Sequence, residues 1–186
     1  MPEDKADLPP AQEINPVTYQ RVKSSVEQGN YTTLVCQPGE AKAAVDRLSS
    51  ELAGTYRAMR VTIPEVGKDY RSVVSDFSSL APDTAIGEIK DGQSTGQNFA
   101  YLLEKTSEVN DKPVLAIIEN LQYVTQGRDD LIRAVRALYN ARALNSSLKK
   151  LTFLLIADQH PTSLLKDMMG TPYNIGTNIY VNFPSE

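Results

Sequence analysis

The sequence predicts an α/β fold built on a parallel sheet with helices on both faces, and three observations predict it. Helical and extended segments alternate along the chain in the order α-β-α-β-α-α-β-α-β-α-β. Two extended segments, Pro113 to Ile118 and Leu151 to Ala157, are apolar without alternation, as strands buried on both faces must be. The 186 residues, 41% hydrophobic and 23% charged, suffice for one real core and would make two domains cramped.

Each element has a local reason. Residues 1–16 carry Pro2, Pro9, Pro10 and Pro16 among four acids and read as a flexible lead-in, so the folded domain is expected over 17–186. From Thr18 to Gln28, Tyr19, Val22 and Val26 recur on one helical face. Tyr31 to Cys36 is rich in strand formers and stops at Gln37-Pro38-Gly39. A helix from about Glu40 to Leu52 places Ala44, Val45, Leu48 and Leu52 inward, with Gly54 at its C-cap. Arg57 to Ile63 is a short strand closed by Pro64. Asp69 is placed to cap a helix running to Leu80. Residues 82–97 read as a loop, followed by a helix from about Asn98 to Val109. Asp129 to Ala143 is a long amphipathic helix with Leu131, Ile132, Val135, Leu138 and Tyr139 on its apolar face. A short helix near Thr162 to Met169 and a last strand, Asn178 to Phe183, complete the order.

Composition excludes several classes. A net charge of −4 and a pI near 5.1 argue against general nucleic-acid or membrane-surface binding and leave room only for a local basic patch. The single cysteine, Cys36, cannot form an internal disulfide, and the single histidine, His160, argues against a zinc site. No apolar run approaches the roughly 18 residues of a membrane span. The acidic start lacks the apolar core of a signal peptide, so the simplest home is a reducing cytoplasm.

In a parallel α/β sheet, ligands gather at the carboxyl ends of the strands. Cys36-Gln-Pro-Gly-Glu-Ala-Lys-Ala43 occupies the first such end. A phosphate-binding loop reads G-x-x-x-x-G-K-[ST]: glycines let amides wrap the phosphates, lysine neutralises them, and the hydroxyl ligates magnesium. Here Lys42 keeps its place and Gly39 is internal, while Cys36 and Ala41 stand at the glycine positions and Ala43 at the hydroxyl position. Two readings compete: a degenerate nucleotide loop, or a plain strand-to-helix turn with Lys42 solvated. Gly87 to Ser94 mimics the spacing with glutamine for lysine, but no strand precedes it, so it reads as a connector.

The third strand ends in Glu119-Asn120, where P-loop enzymes place an acid for the magnesium shell and often a second acid for water. Asn120 cannot take a proton from water. The readings are a residual metal site or a polar strand end. At Ala157-Asp158-Gln159-His160, Asp158 would repel a phosphate, and His160 before Pro161 reads as a loop residue. Cys36, at a strand end, reads as an inert core thiol. Finally Arg128, Arg133 and Arg136 begin a basic stripe, which is either a solvated helix face or a partner surface.

The run Leu131 to Arg142, the strand Leu151 to Ala157, His160-Pro-Thr-Ser-Leu-Leu165 and Thr171-Pro-Tyr-Asn-Ile-Gly176 resemble the bacterial AAA-like domain ATPases, relatives of the AAA+ and STAND groups. The resemblance covers roughly residues 15–184. It implies a three-layer α/β/α P-loop NTPase-like fold with a five-stranded parallel sheet in the order 5-1-4-3-2. The departures fall on the chemistry: Ala41-Lys42-Ala43 replaces the family's Gly-Lys-Ser, and Glu119-Asn120 replaces its Asp-Glu. The family continues into a helical lid, whereas this sequence stops at Glu186, and the Pro172 to Tyr180 stretch offers no arginine finger.

The expected function is therefore a pseudo-ATPase domain that signals or regulates through protein contact or self-association. No metal, no catalytic residue and no cofactor are expected, nucleic acid and membrane are not expected partners, and Arg128, Arg133 and Arg136 are the expected contact face. The alternative is a weak, noncanonical ATP-binding domain using Lys42 and Glu119.

Overall fold

A computed structural model describes residues 13–82, 84, 94–167 and 172–181. Helix α1 spans Pro16–Glu27, β1 Thr32–Val35, α2 Lys42–Leu52, β2 Arg57–Thr62, α3 Tyr70–Ser79, α4 Thr95–Val109, β3 Val114–Glu119, α5 Arg128–Ala141, β4 Leu151–Ala157, α6 Pro161–Leu164 and β5 Thr177–Tyr180. Short 3-10 turns at Leu121–Tyr123 and Ser147–Lys150 interrupt the loops before α5 and β4.

Every strand pair is parallel, and the sheet order is β2-β3-β4-β1-β5. Read from the other edge this is 5-1-4-3-2, as the resemblance implies. Strand periodicity divides the core into two halves. Val114, Ala116 and Ile118 of β3, with Phe153 and Leu155 of β4, pack under α3, α4 and α5. Leu115 and Ile117, with Leu154 and Ile156, pack under α1 and α2. Both faces of β3 and β4 are therefore covered, which is why neither strand alternates in polarity.

Several boundaries differ from expectation for local reasons. Helix α4 begins at Thr95, not Asn98, because Ser94 and Gln97 form a capping box that the loop reading overlooked. Helix α1 starts at Pro16, and its N-cap Asn15 accepts from the Thr18 amide at 2.9 Å. Ile14 is buried beside it, so the packed structure begins before residue 17. Helix α6 is a single turn closed after Leu164 rather than a helix to Met169. The expected lead-in over residues 1–12, the connector at Gly87, the start of the Thr171–Gly176 motif and the end of the last strand at Phe183 lie outside the described residues.

Gly176 shows why that motif ends in glycine. Its φ is +66°, and a Cβ there would stand 1.9 Å from the Tyr31 carbonyl oxygen. The close approach lets the Thr177 amide donate to that same carbonyl at 2.9 Å and start the β1–β5 ladder.

Candidate functional site

The carboxyl ends of β1, β3 and β4 converge as the topology requires. They enclose a crevice of ≈ 120 Å³ lined by Cys36, Gly39, Lys42, Arg60, Glu119 and Asn120, among others. Pockets that bury organic ligands usually enclose roughly 300–1,000 Å³.

The β1–α2 turn is closed on itself. Glu40 is 7% exposed, and its carboxylate accepts from the Gln37 amide at 2.9 Å. The Glu40 amide donates to Gln37 O at 3.1 Å and the Lys42 amide to Gly39 O at 3.3 Å. In a phosphate cradle such amides point at the ligand. Here three of them serve the turn, and a buried carboxylate takes one donor. Gly39 makes the tight turn possible at φ +83°. Ala41 is buried at the N-cap of α2 with no side-chain cap, and Ala43 is exposed. The Lys42 side chain, 75% exposed, pairs with Asp46 at 3.2 Å one turn along α2. Burial first, and the neighbouring Glu40 charge second, push the Cys36 thiol up to about 12, so it is an inert core group.

Glu119 is held more firmly. Its carboxylate is 7% exposed and accepts from Arg60 Nε at 2.5 Å, Arg60 Nη2 at 3.0 Å and Thr62 Oγ1 at 2.7 Å. The β2–β3 register sets this up: Thr62 lies opposite Glu119, and Arg60 lies two residues back on the same face of the strand. Arg60 also pairs with Asp46, which pairs with Lys42. A continuous run of alternating charge, Lys42–Asp46–Arg60–Glu119, thus crosses the crevice. Hydrogen bonding to Glu119 is the largest cause that raises the Arg60 pKa, and hydrogen bonding to Arg60 is the largest that lowers that of Asp46.

Sequence reading missed Arg60. The available signal was its position, since an arginine in the middle of a strand needs a partner. It sits within Arg57-Ala-Met-Arg-Val-Thr62 at an intermediate depth.

Asn120 serves the backbone. It adopts φ 62°, a left-handed conformation that asparagine tolerates, and its Nδ2 donates to Ile63 O at 3.1 Å. At the end of β4, the Asp158 amide donates to Gln122 Oε1 at 3.4 Å. Asp158 Oδ1 is buried without a hydrogen-bond partner. His160 caps α6: its Nδ1 accepts from the Thr162 amide at 3.2 Å, and its Nε2 lies 3.2 Å from Asn178 Oδ1. That arrangement requires the neutral ring with the proton on Nε2.

The three arginines of the expected contact face have separate fates. Arg128 donates to Leu164 O and Gln122 O, both at 3.0 Å, and braces α6 against the loop before α5. Arg133 pairs with Asp167 at 2.7 Å and approaches Asp130 at 3.9 Å. Arg136 is half-buried, and its Nε has no hydrogen-bond partner. Among the described residues, no group of three or more His, Cys, Asp or Glu side chains could hold a metal ion. Nor is any described helix long and apolar enough to cross a membrane.

No protein-family profile matches the chain, and no curated protein matches its sequence. Solved structures match its fold. The ORC1 protein of Aeropyrum pernix in complex with DNA aligns at TM-score 0.60 and 14% identity, over 95% of this chain and 47% of that one. Cdc6p from Pyrobaculum aerophilum aligns at TM-score 0.62 and 14% identity, over 89% of this chain and 44% of that one. The ORC2 protein of Aeropyrum pernix in its ADPNP–ADP complexes aligns at TM-score 0.59 and 14% identity, over 96% and 50%. The chain spans about half the length of these proteins. At such identity the likeness shows the fold alone: a P-loop, AAA+ ATPase-like α/β/α domain with a five-stranded parallel sheet.

Proposed function

We propose that this chain is a pseudo-ATPase: a degenerate AAA-like domain, akin to the STAND group, that works in the bacterial cytoplasm as a protein-interaction and regulatory module. One observation carries the reading. The only acid at the expected metal position, Glu119, is neutralised from within by Arg60 and hydrogen-bonded by Thr62. Hydrolysis of a nucleoside triphosphate needs a carboxylate free to organise a metal and a base to orient water. Glu119 is committed, Asn120 is tied to Ile63, and Ala43 brings no hydroxyl. A phosphate entering the β1–α2 turn would meet the Glu40 carboxylate in place of free amides. Without turnover, the domain acts through contacts, with a second copy or with another protein. The net charge of −4 favours a protein over nucleic acid as that partner. The α5 face around Arg133 and Arg136 supplies a cationic surface for an acidic partner.

The test is direct. The purified chain is expected to show no magnesium-dependent ATP hydrolysis and, by calorimetry, only weak nucleotide binding that magnesium barely changes. Turnover that vanishes in Lys42→Ala, or sub-micromolar magnesium-dependent affinity, overturns the reading in favour of a nucleotide-binding domain using Lys42 and Glu119. Strongly salt-dependent DNA binding replaces the protein partner with nucleic acid. Association that survives Arg133→Glu with Arg136→Glu moves the contact away from α5.

A further inference from the structure

A second concavity lies on the opposite face of the sheet from the crevice and shares no lining residue with it. It is a trough of ≈ 810 Å³ between α3, α4 and α5, within the size range of small-molecule pockets. Its floor is small and apolar, with Gly96 and Ala100 from α4, Ala134 and Ala137 from α5, and Leu148 beyond.

The two ends of the trough differ in electrostatics. At one end the first turns of three helices meet around Tyr70. A side chain at Gly127 would meet Tyr70 Cβ at 2.8 Å, and one at Gly96 would come within 3.9 Å of the Tyr70 hydroxyl. Helix N-termini carry partial positive charge. Asp69 and Ser94 cap α3 and α4, but α5 starts at Gly127 with no side-chain cap. Arg71 lines this end, is exposed, and forms no ion pair or hydrogen bond among the described residues. Tyr70 is 3% exposed, and its hydroxyl is buried without a hydrogen-bond partner. Leaving such a group unpaired is costly, so it is a mark of a missing ligand atom. Two acids stand nearby. Asp69 is spent on the Ser72 amide at 2.8 Å, and Asp130 lies 3.9 Å from Arg133. The far end is acidic, where Glu104 accepts from Asn145 at 2.6 Å.

We propose that this trough binds an apolar organic anion, of the class of a medium-chain carboxylate. Its hydrocarbon body lies on the alanine floor, and its head group sits at the Tyr70–Arg71 end by the uncapped start of α5. Glu104 disfavours the reverse orientation. The occupant is set by charge complementarity: a neutral apolar molecule would leave both the Tyr70 hydroxyl and Arg71 unused, and a cation would face three helix N-termini.

The probe is anilinonaphthalene sulfonate, followed by fluorescence on the full chain with native circular dichroism confirmed. Saturable one-to-one binding is expected, displaced by decanoate and not by decylamine. Arg71→Glu, at an exposed position, should weaken it about tenfold. Tyr70→Phe should weaken it about tenfold as well, since a hydrogen bond to a charged group is lost. Ala137→Trp, which fills the trough from its exposed rim, should abolish it. Absence of saturable binding, equal displacement by decylamine, or indifference to both Arg71→Glu and Ala137→Trp overturns the proposal. None of these readouts depends on whether the chain binds or hydrolyses ATP.

Discussion

Replacing Arg60 by methionine keeps the aliphatic stem and removes the charge that holds Glu119. Its guanidinium makes two bonds to a carboxylate that is only 7% exposed, while Arg60 itself is 26% exposed. Removing one partner of a buried pair commonly costs about 3–5 kcal/mol, because the other charge stays behind unpaired. The partial exposure of Arg60 lets water reach part of the site, which lowers the expected loss to about 2–3 kcal/mol. The Thr62 hydroxyl remains and offsets about 1 kcal/mol of what a wholly bare carboxylate would cost. Glu119→Gln alone should cost less, about 1 kcal/mol, since Arg60 still reaches Asp46 and solvent. The double variant removes both charges, so its loss should fall short of the sum by about 1–3 kcal/mol. Urea denaturation followed by far-ultraviolet circular dichroism measures all four species, and an unchanged m-value confirms that native stability is what moved. A loss below about 0.5 kcal/mol in Arg60→Met, or simple additivity in the double variant, would refute the claim that Arg60 closes the site by neutralising Glu119.

Two further outcomes follow from single residues. Burial holds the His160 imidazole below its usual value of 6.5, outweighing the hydrogen bond to Asn178. A base whose folded pKa is depressed gives stability that is present above the unfolded pKa and lost as pH falls through it. The proton signal of the one histidine should therefore titrate below 6.5 by NMR, and stability should drop as the medium is acidified from 7 to 5, about the unfolded value; a midpoint above the usual value would contradict the burial. At Gly176, alanine would meet the Tyr31 carbonyl at 1.9 Å and also strain a positive φ, so Gly176→Ala should cost about 2–4 kcal/mol. Gly39→Ala, where φ is +83° but nothing lies within 4 Å, should cost about 1–2 kcal/mol in the same denaturation assay.

Sequence alone determined the elements that rest on local chemistry. Apolar runs without alternation at Pro113 to Ile118 and Leu151 to Ala157 announced β3 and β4, because a strand covered on both faces has no polar side to show. Asp69 announced the start of α3, and its carboxylate does accept from the Ser72 amide. The resemblance of the Thr171–Gly176 segment and its neighbours implied the strand order. The sequence also marked Glu119, Asn120 and Lys42 as residues at strand and helix ends. What those side chains do was decided by the tertiary structure. Arg60 is 59 positions from Glu119 and meets it only because β2 and β3 pair in one register. Glu40 folds back onto Gln37 through the tightness of the turn, a feature no motif spacing encodes. Arg128 and Arg133 share a helix yet differ in fate, because α6 and the residues after it fold against α5. Periodicity reports which face a residue occupies, since that depends only on neighbours along the chain. Which charge it meets there depends on residues far away in sequence, and only the assembled sheet brings them within reach.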